Sequence, residues 1–202
     1  MSDNLFPSIL LDELFIDVNT ETEIFGLDFG RTNDKTVLVG IAKTDDDNII
    51  VTEIHNIPLG DSMTQARFVA NIVGSRPVFV DPFGIGKIFI DILRSSNINV
   101  NAIPAFENNA ERENGIISVA LKFRNKQIKF KSDLKIWRSE ILDGFRSYGT
   151  STRKSESGND DVLDAIIYAV ANTYFNISVA SIKFPTSRLF GNASNLFGGS
   201  IL

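Results

Sequence analysis

The chain has 202 residues, no cysteine, one histidine and a formal net charge of -5, which excludes disulfides, thiolate nucleophiles, cysteine-ligated zinc and any site needing two imidazoles. With 43% hydrophobic and 22% charged residues it reads as one folded domain with a sizeable core, or as one domain plus short appendages. No apolar run is long enough to cross a bilayer and no basic-then-apolar leader opens the chain, so the sequence predicts a soluble intracellular protein whose hydrolytic chemistry falls to carboxylates, with a hard metal ion.

From Phe6 to Asp17 the spacing of Ile9, Leu10 and Leu14 predicts a short helix, lying on the domain or left over from an upstream connection. A polar spacer, Asn19 to Glu23, follows. Phe25-Gly-Leu-Asp28 and Thr36 to Ala42 read as the two arms of a β-hairpin, and Ile49 to His55 as a third antiparallel strand. His55, at the end of that strand, reads as a solvated side chain. A helix begins at Asp61 or Ser62, presents Met63, Ala66, Phe68, Val69 and Ile72, and stops at Gly74. Val78-Phe-Val80 is apolar throughout, as in a parallel strand buried on both faces, and ends in Asp81. Pro82, Gly84 and Gly86 break it before a helix from about Lys87 to Ser95.

Asn99 to Phe106 reads as a fifth strand, Glu107 to Asn114 as a charged connection, and Ile116 to Leu121 as part of a helix. Lys122 to Arg138 carries Lys122, Arg124, Lys126, Lys129, Lys131, Lys135 and Arg138 against the single acid Asp133. Charge is thus segregated within an acidic protein. The alternation in Gln127-Ile-Lys-Phe-Lys131 puts Lys129 and Lys131 on one strand face, suited to phosphate contacts or to plain solvation. Ser132 to Phe145 reads as a helix with Trp137 in the core, Arg146 to Gly158 as a loop, and Asp160 to about Tyr174 as a strongly apolar helix. The segment after Asn176 is a tail of Gly, Ser, Asn and Phe.

Three groups of acids stand out. Asp28 ends the first strand, Asp81 ends a central strand, and Asp160, Asp161 and Asp164 open the last helix. Taken singly, Asp28 and Asp81 suit turns and Asp160 and Asp161 suit the positive end of a helix dipole. Asp164 is harder to explain that way, since it shares a face with Asp160 and Asp161 on a helix otherwise apolar enough to be buried. Converging carboxylates repel and invite a divalent cation. Two oxygen-bound ions about 4 Å apart activate water and stabilise the leaving oxygen in phosphodiester cleavage.

The motifs Gly26-Leu-Asp-Phe-Gly30 with Asn33-Asp-Lys-Thr36, Val80-Asp-Pro-Phe-Gly-Ile-Gly-Lys87 and Asn159-Asp-Asp-Val-Leu-Asp-Ala165 resemble those of the nuclease domain of the large terminase subunit of tailed phages and related viruses. The resemblance covers roughly 25–174. It implies an α/β ribonuclease-H-like fold, a mixed central sheet of three antiparallel strands and then parallel strands, flanked by helices, over 23–176. An N-terminal helix or linker at 1–22 and a C-terminal tail at 177–202 complete the division.

The same resemblance implies a metal-dependent endonuclease that cuts concatemeric double-stranded DNA during genome packaging. Asp28, Asp81, Asp161 and Asp164 would be catalytic acids holding two Mg²⁺ or Mn²⁺ ions, with Asp160 a further ligand. Lys87, Lys126, Lys129 and Lys131 would meet DNA. The implied partners are the terminase ATPase motor, the small terminase subunit and the portal, in the cytoplasm of the infected cell. No Gly-Lys-Ser or Gly-Lys-Thr phosphate loop occurs in the chain, so that motor would be excised or separate. Competing expectations are a Holliday-junction resolvase of the same fold, a non-catalytic DNA-binding or docking module, and an actin or sugar-kinase-like ATPase, for which 202 residues scarcely suffice.

Overall fold

The computed structural model describes residues 4–6, 8–30, 35–95, 101–149, 151–152 and 160–173. Its centre is a seven-stranded sheet in the order β1-β7-β4-β3-β2-β5-β6. The strands are β1 (Phe15–Ile16), β2 (Ile24–Asp28), β3 (Thr36–Lys43), β4 (Ile49–Ile57), β5 (Pro77–Val80), β6 (Asn101–Pro104) and β7 (Ile128–Lys131). β2, β3 and β4 form the expected antiparallel meander, with Asp28 opposite Val37 and Thr36 opposite Ile57. β5 joins β2 in parallel, β6 joins β5, and β7 runs parallel to both β4 and β1. Every strand except β3 therefore points the same way, and their carboxyl ends form one edge. That edge is where α/β sheets place polar groups.

The helices are α1 (Ser62–Val73), α2 (Ile85–Ser95), α3 (Asn109–Arg124), α4 (Arg138–Tyr148) and α5 (Asp161–Ala171). α1 starts where Asp61 accepts the Thr64 N–H, and α3 where Asn108 accepts the Glu111 N–H, each meeting an otherwise unpaired donor of the first turn. Two cores flank the sheet. Val37, Val39, Ile41, Ile128 and Phe130 pack with α3, α4 and α5 on one face. Phe25, Leu27, Leu38 and Val78 pack with α1 and α2 on the other.

α5 is the most deeply placed helix. Val162 through Ala171 are all buried, and its approach to β2 depends on Gly26. A Cβ at that position would lie 2.0 Å from the Ala165 carbonyl oxygen and 2.5 Å from the Ala169 nitrogen. Only a hydrogen fits, so helix backbone rests directly on strand backbone. The acids that open α5 are thereby drawn to the end of β2.

Several boundaries differ from those the pattern predicts. The N-terminal segment forms a 3-10 helix over Ser8–Leu14 followed by β1, and Phe6, Leu11 and Leu14 are fully buried in the α5-side core. The single helix expected over Ser132 to Phe145 is a 3-10 helix, Ser132–Trp137, that continues into α4. Much of the charged connection 107–114 belongs to α3. His55 lies inside β4 and pairs with Glu53 at 2.6 Å. The tail 177–202, the motif residues Asn33, Asp34 and Asn159, and most of the loop 146–158 lie outside the described residues.

Candidate active site

Asp28 is the last residue of β2 and Asp81 follows the last residue of β5. Because these strands are parallel neighbours, with Leu27 opposite Val80, the two acids emerge side by side. The residues just after each acid lock it in place. Phe29 stacks on Phe89 of α2 with ring centroids 4.0 Å apart. Asp81 accepts the Phe83 N–H on Oδ1 at 2.8 Å, the turn geometry that short acidic side chains favour. Gly86 then presses on Asp81, since a Cβ there would sit 1.9 Å from the Asp81 carbonyl oxygen. The strand end, its turn and the start of α2 thus form one tight unit.

The acids of α5 meet this unit from the other core. Tyr168 Oη donates toward Asp81 Oδ2 at 3.2 Å and toward Asp164 Oδ2 at 3.4 Å. Tyr148 Oη, from α4, donates to Asp164 Oδ1 at 2.6 Å. Ser147 Oγ donates to Asp160 Oδ2 at 3.0 Å. Arg112 of α3 brings a guanidinium to 4.0 Å from Asp164 Oδ2. Asp28, Asp81 and Asp161 are half-buried, whereas Asp160 is 8% and Asp164 1% exposed.

Electrostatics follow from this packing. Burial raises both tyrosine hydroxyls well above their ordinary range, and the charge of Asp164 adds to it for Tyr148. For Tyr168 the charges of Asp164, Asp28 and Asp81 all add. Both tyrosines are therefore neutral donors. Burial works against the charge of Arg112, but the oxygens of Tyr148, Tyr168, Asp164 and Asp81 outweigh it and raise its pKa. Arg112 is a permanent cation beside the acids.

Of the sequence-predicted residues, Asp81 and Asp164 meet at the Tyr168 hydroxyl, Asp28 emerges beside Asp81 from the neighbouring strand, and Asp160 and Asp161 lie at the start of the helix that carries Asp164. Lys87 is exposed in the first turn of α2, close in sequence to Asp81. Lys129 and Lys131 alternate with buried Ile128 and Phe130, which places them on the sheet face opposite α5. β7 is three strands from β2, roughly 14 Å at ordinary strand spacing. Lys126 precedes β7, at the opposite edge, and pairs with Glu13 at 2.6 Å. Arg112, Tyr148 and Tyr168 are not among the residues the sequence points to. The one signal for them is Tyr168 four residues after Asp164, a polar-tipped ring stacked above an acid on one helix face.

The donor set, oxygen only and drawn from three elements, has the chemistry of a hard divalent cation site. Among the described residues, no three acids or histidines are already closed around a common point.

A family model, the terminase RNaseH-like domain, matches residues 25–173. The chain belongs to that terminase family. The large terminase nuclease of thermophilic phage G20c, solved with bound cobalt, is similar with a TM-score of 0.62 at 19% identity, over 85% of this chain and 97% of that one. The P22 large terminase nuclease domain is similar with a TM-score of 0.59 at 17% identity, over 82% of this chain and 89% of that one. The large terminase of bacteriophage HK97 gives a TM-score of 0.60 at 11% identity, over 84% of this chain but 43% of that one. At these identities the likeness shows the fold. No curated protein matches the chain. Among the described residues of this terminase domain, no helix is long and apolar enough to cross a membrane.

Proposed function

We propose that this terminase domain is a metal-dependent endonuclease that hydrolyses double-stranded DNA and cuts concatemeric viral genomes during packaging. The observation that carries this reading is the meeting of acids at one sheet edge: Asp28 and Asp81 end neighbouring parallel strands, and Tyr168 of α5 reaches both Asp81 and Asp164. The half-buried Asp28, Asp81 and Asp161 would hold the ions, with Asp160 beside them. Mg²⁺ or Mn²⁺, two ions in all, would supply Lewis acidity and an ionised water at neutral pH. The G20c nuclease has been solved with magnesium, cobalt and zinc, which supports divalent binding here.

The chain's own residues have separable tasks. Asp28 and Asp81 present carboxylates from rigid strand ends, Phe29 and the Gly86 contact keep them in place, and Lys87 meets a phosphate of the duplex. A large terminase from a thermophilic bacteriophage, of which this chain covers 43%, has been solved in complex with ATP-gamma-S. That supports an ATPase as partner of this domain; a small subunit and a portal in the infected cell are proposed with it on the resemblance of the motifs alone.

The test is cleavage of supercoiled plasmid with Mn²⁺, Mg²⁺ or EDTA. The parent is expected to nick and linearise the plasmid in either metal and to do nothing in EDTA. Asp28→Asn and Asp81→Asn are expected to lose at least a hundredfold in rate with circular dichroism unchanged. Full activity in Asp81→Asn would overturn the reading.

A further inference from the structure

Asp164 differs from the other acids of the site in what already surrounds it. Its side chain is 2% exposed, with Arg112 packed 4.0 Å from Oδ2. Tyr148 bonds Oδ1, and Tyr168 reaches Oδ2. A carboxylate that binds a hydrated cation must offer lone pairs to the side from which the ion arrives. Both Asp164 and Asp81 have a protein donor at each oxygen, but Asp164 is buried, whereas Asp81 is half-buried at the sheet edge and keeps a side open to an arriving ion.

The Tyr168 hydroxyl lies between these two carboxylates, 3.2 Å from Asp81 Oδ2 and 3.4 Å from Asp164 Oδ2. Its one hydrogen is shared between them, so the position of the ring and the hydroxyl fixes how the Asp81 carboxylate is turned. Asp81 is then held at both oxygens, by Phe83 N–H on one and Tyr168 on the other. The Tyr168 ring is held by an edge contact with Phe106, centroids 6.0 Å apart. Arg112 compensates the charge that two neighbouring carboxylates would otherwise accumulate.

We propose that Asp164 is a positioning residue rather than a metal ligand: with Tyr148, Arg112 and Tyr168 it forms a buried backing that sets the orientation of the half-buried Asp81 at the sheet edge. Outer groups of this kind tune affinity without touching the ion, typically by ten- to a hundredfold. The inference rests on the nuclease reading above and is separable from it.

The experiment is titration of the full chain with Mn²⁺ by calorimetry, at a temperature where circular dichroism shows each variant folded. Tyr168→Phe keeps the ring and removes only the hydroxyl. It is expected to weaken Mn²⁺ binding about tenfold without changing stoichiometry. Asp164→Asn is expected to weaken it to a similar degree, again with stoichiometry kept. The double variant should be no weaker than the worse single one, because the two act through one contact. Loss of an ion from the stoichiometry in Asp164→Asn would make it a ligand and overturn the inference. So would parent-like affinity in Tyr168→Phe. Absence of Mn²⁺ binding in the parent would overturn the nuclease reading together with this one, whereas the first two outcomes leave that reading standing.

Discussion

A hydrogen atom in place of a side chain at Gly26 determines how closely α5 approaches the sheet. A methyl group would meet the Ala165 carbonyl oxygen at 2.0 Å and the Ala169 nitrogen at 2.5 Å, both backbone atoms that cannot rotate away. Gly26→Ala is therefore expected to cost about 3 kcal/mol or more, read as a lower urea midpoint, and to carry the acids of α5 away from Asp28. Plasmid cleavage should fall even at temperatures where the variant remains folded. The residues of the site were unequally legible. Asp28 and Asp81 stand out because each ends an apolar strand, a pattern that one stretch of sequence displays. Tyr148, Tyr168 and Arg112 come from α4, α5 and α3, and each alone reads as an ordinary helix residue. Only packing brings their tips together, and linear sequence does not encode which helix faces meet.

At the scale of elements, the N-terminal segment shows why burial outweighs surface charge. Among the contacts that tie it to the domain, two can be set against each other. Arg138 forks onto Asp12 at 2.6 and 2.8 Å, in the open. Phe6, fully buried, stacks on Phe145 with centroids 5.3 Å apart and meets Phe123 and Tyr148 edge-on. Exposed pairs are screened and contribute little, whereas emptying an aromatic site costs about 3–5 kcal/mol. Denaturant melts should therefore show a large loss for Phe6→Ala and almost none for Asp12→Ala. Sequence periodicity marked this segment as apolar, but a two-residue strand such as β1 is below what any pattern resolves. In β4 a different pair sets the acid response. The hydrogen bond from His55 lowers the Glu53 pKa below its ordinary 4.5, burial opposes it, and Thr22 adds to it. A carboxyl depressed by folding contributes stability that is present above its unfolded value and is lost as pH falls through the folded one. Glu53→Gln should thus flatten the decline of melting temperature below about pH 4.5 and change little at pH 7.

Over the whole molecule, the distribution of positive charge determines where a duplex can lie. The hairpin, the central strand and the last helix were legible in the sequence because each is a local pattern. The order β1-β7-β4 was not, since it depends on a pairing between residues more than a hundred positions apart. That order moves the basic stretch away from the acids. Val51 opposite Phe130 puts Lys131 level with the middle of β4, several residues short of the acidic edge. Together with the lateral offset this is roughly 15–20 Å at ordinary strand dimensions, on the opposite sheet face. Lys126 is farther away and paired with Glu13. Lys87 and Lys35 sit instead near the acids, Lys35 two residues before the partner of Asp28 in β3, and both are exposed. Each lysine on a phosphate displaces a condensed counterion, so removing it lowers the slope of log K against log salt by about one. Binding of a short duplex in Ca²⁺, measured across salt concentrations, should therefore show that drop for Lys87→Ala and for Lys35→Ala. Lys126→Ala should keep the parent slope, as should Lys129→Ala with Lys131→Ala. A drop of about two in that last pair would instead extend the duplex across the sheet to β7, making the basic strand part of the DNA track.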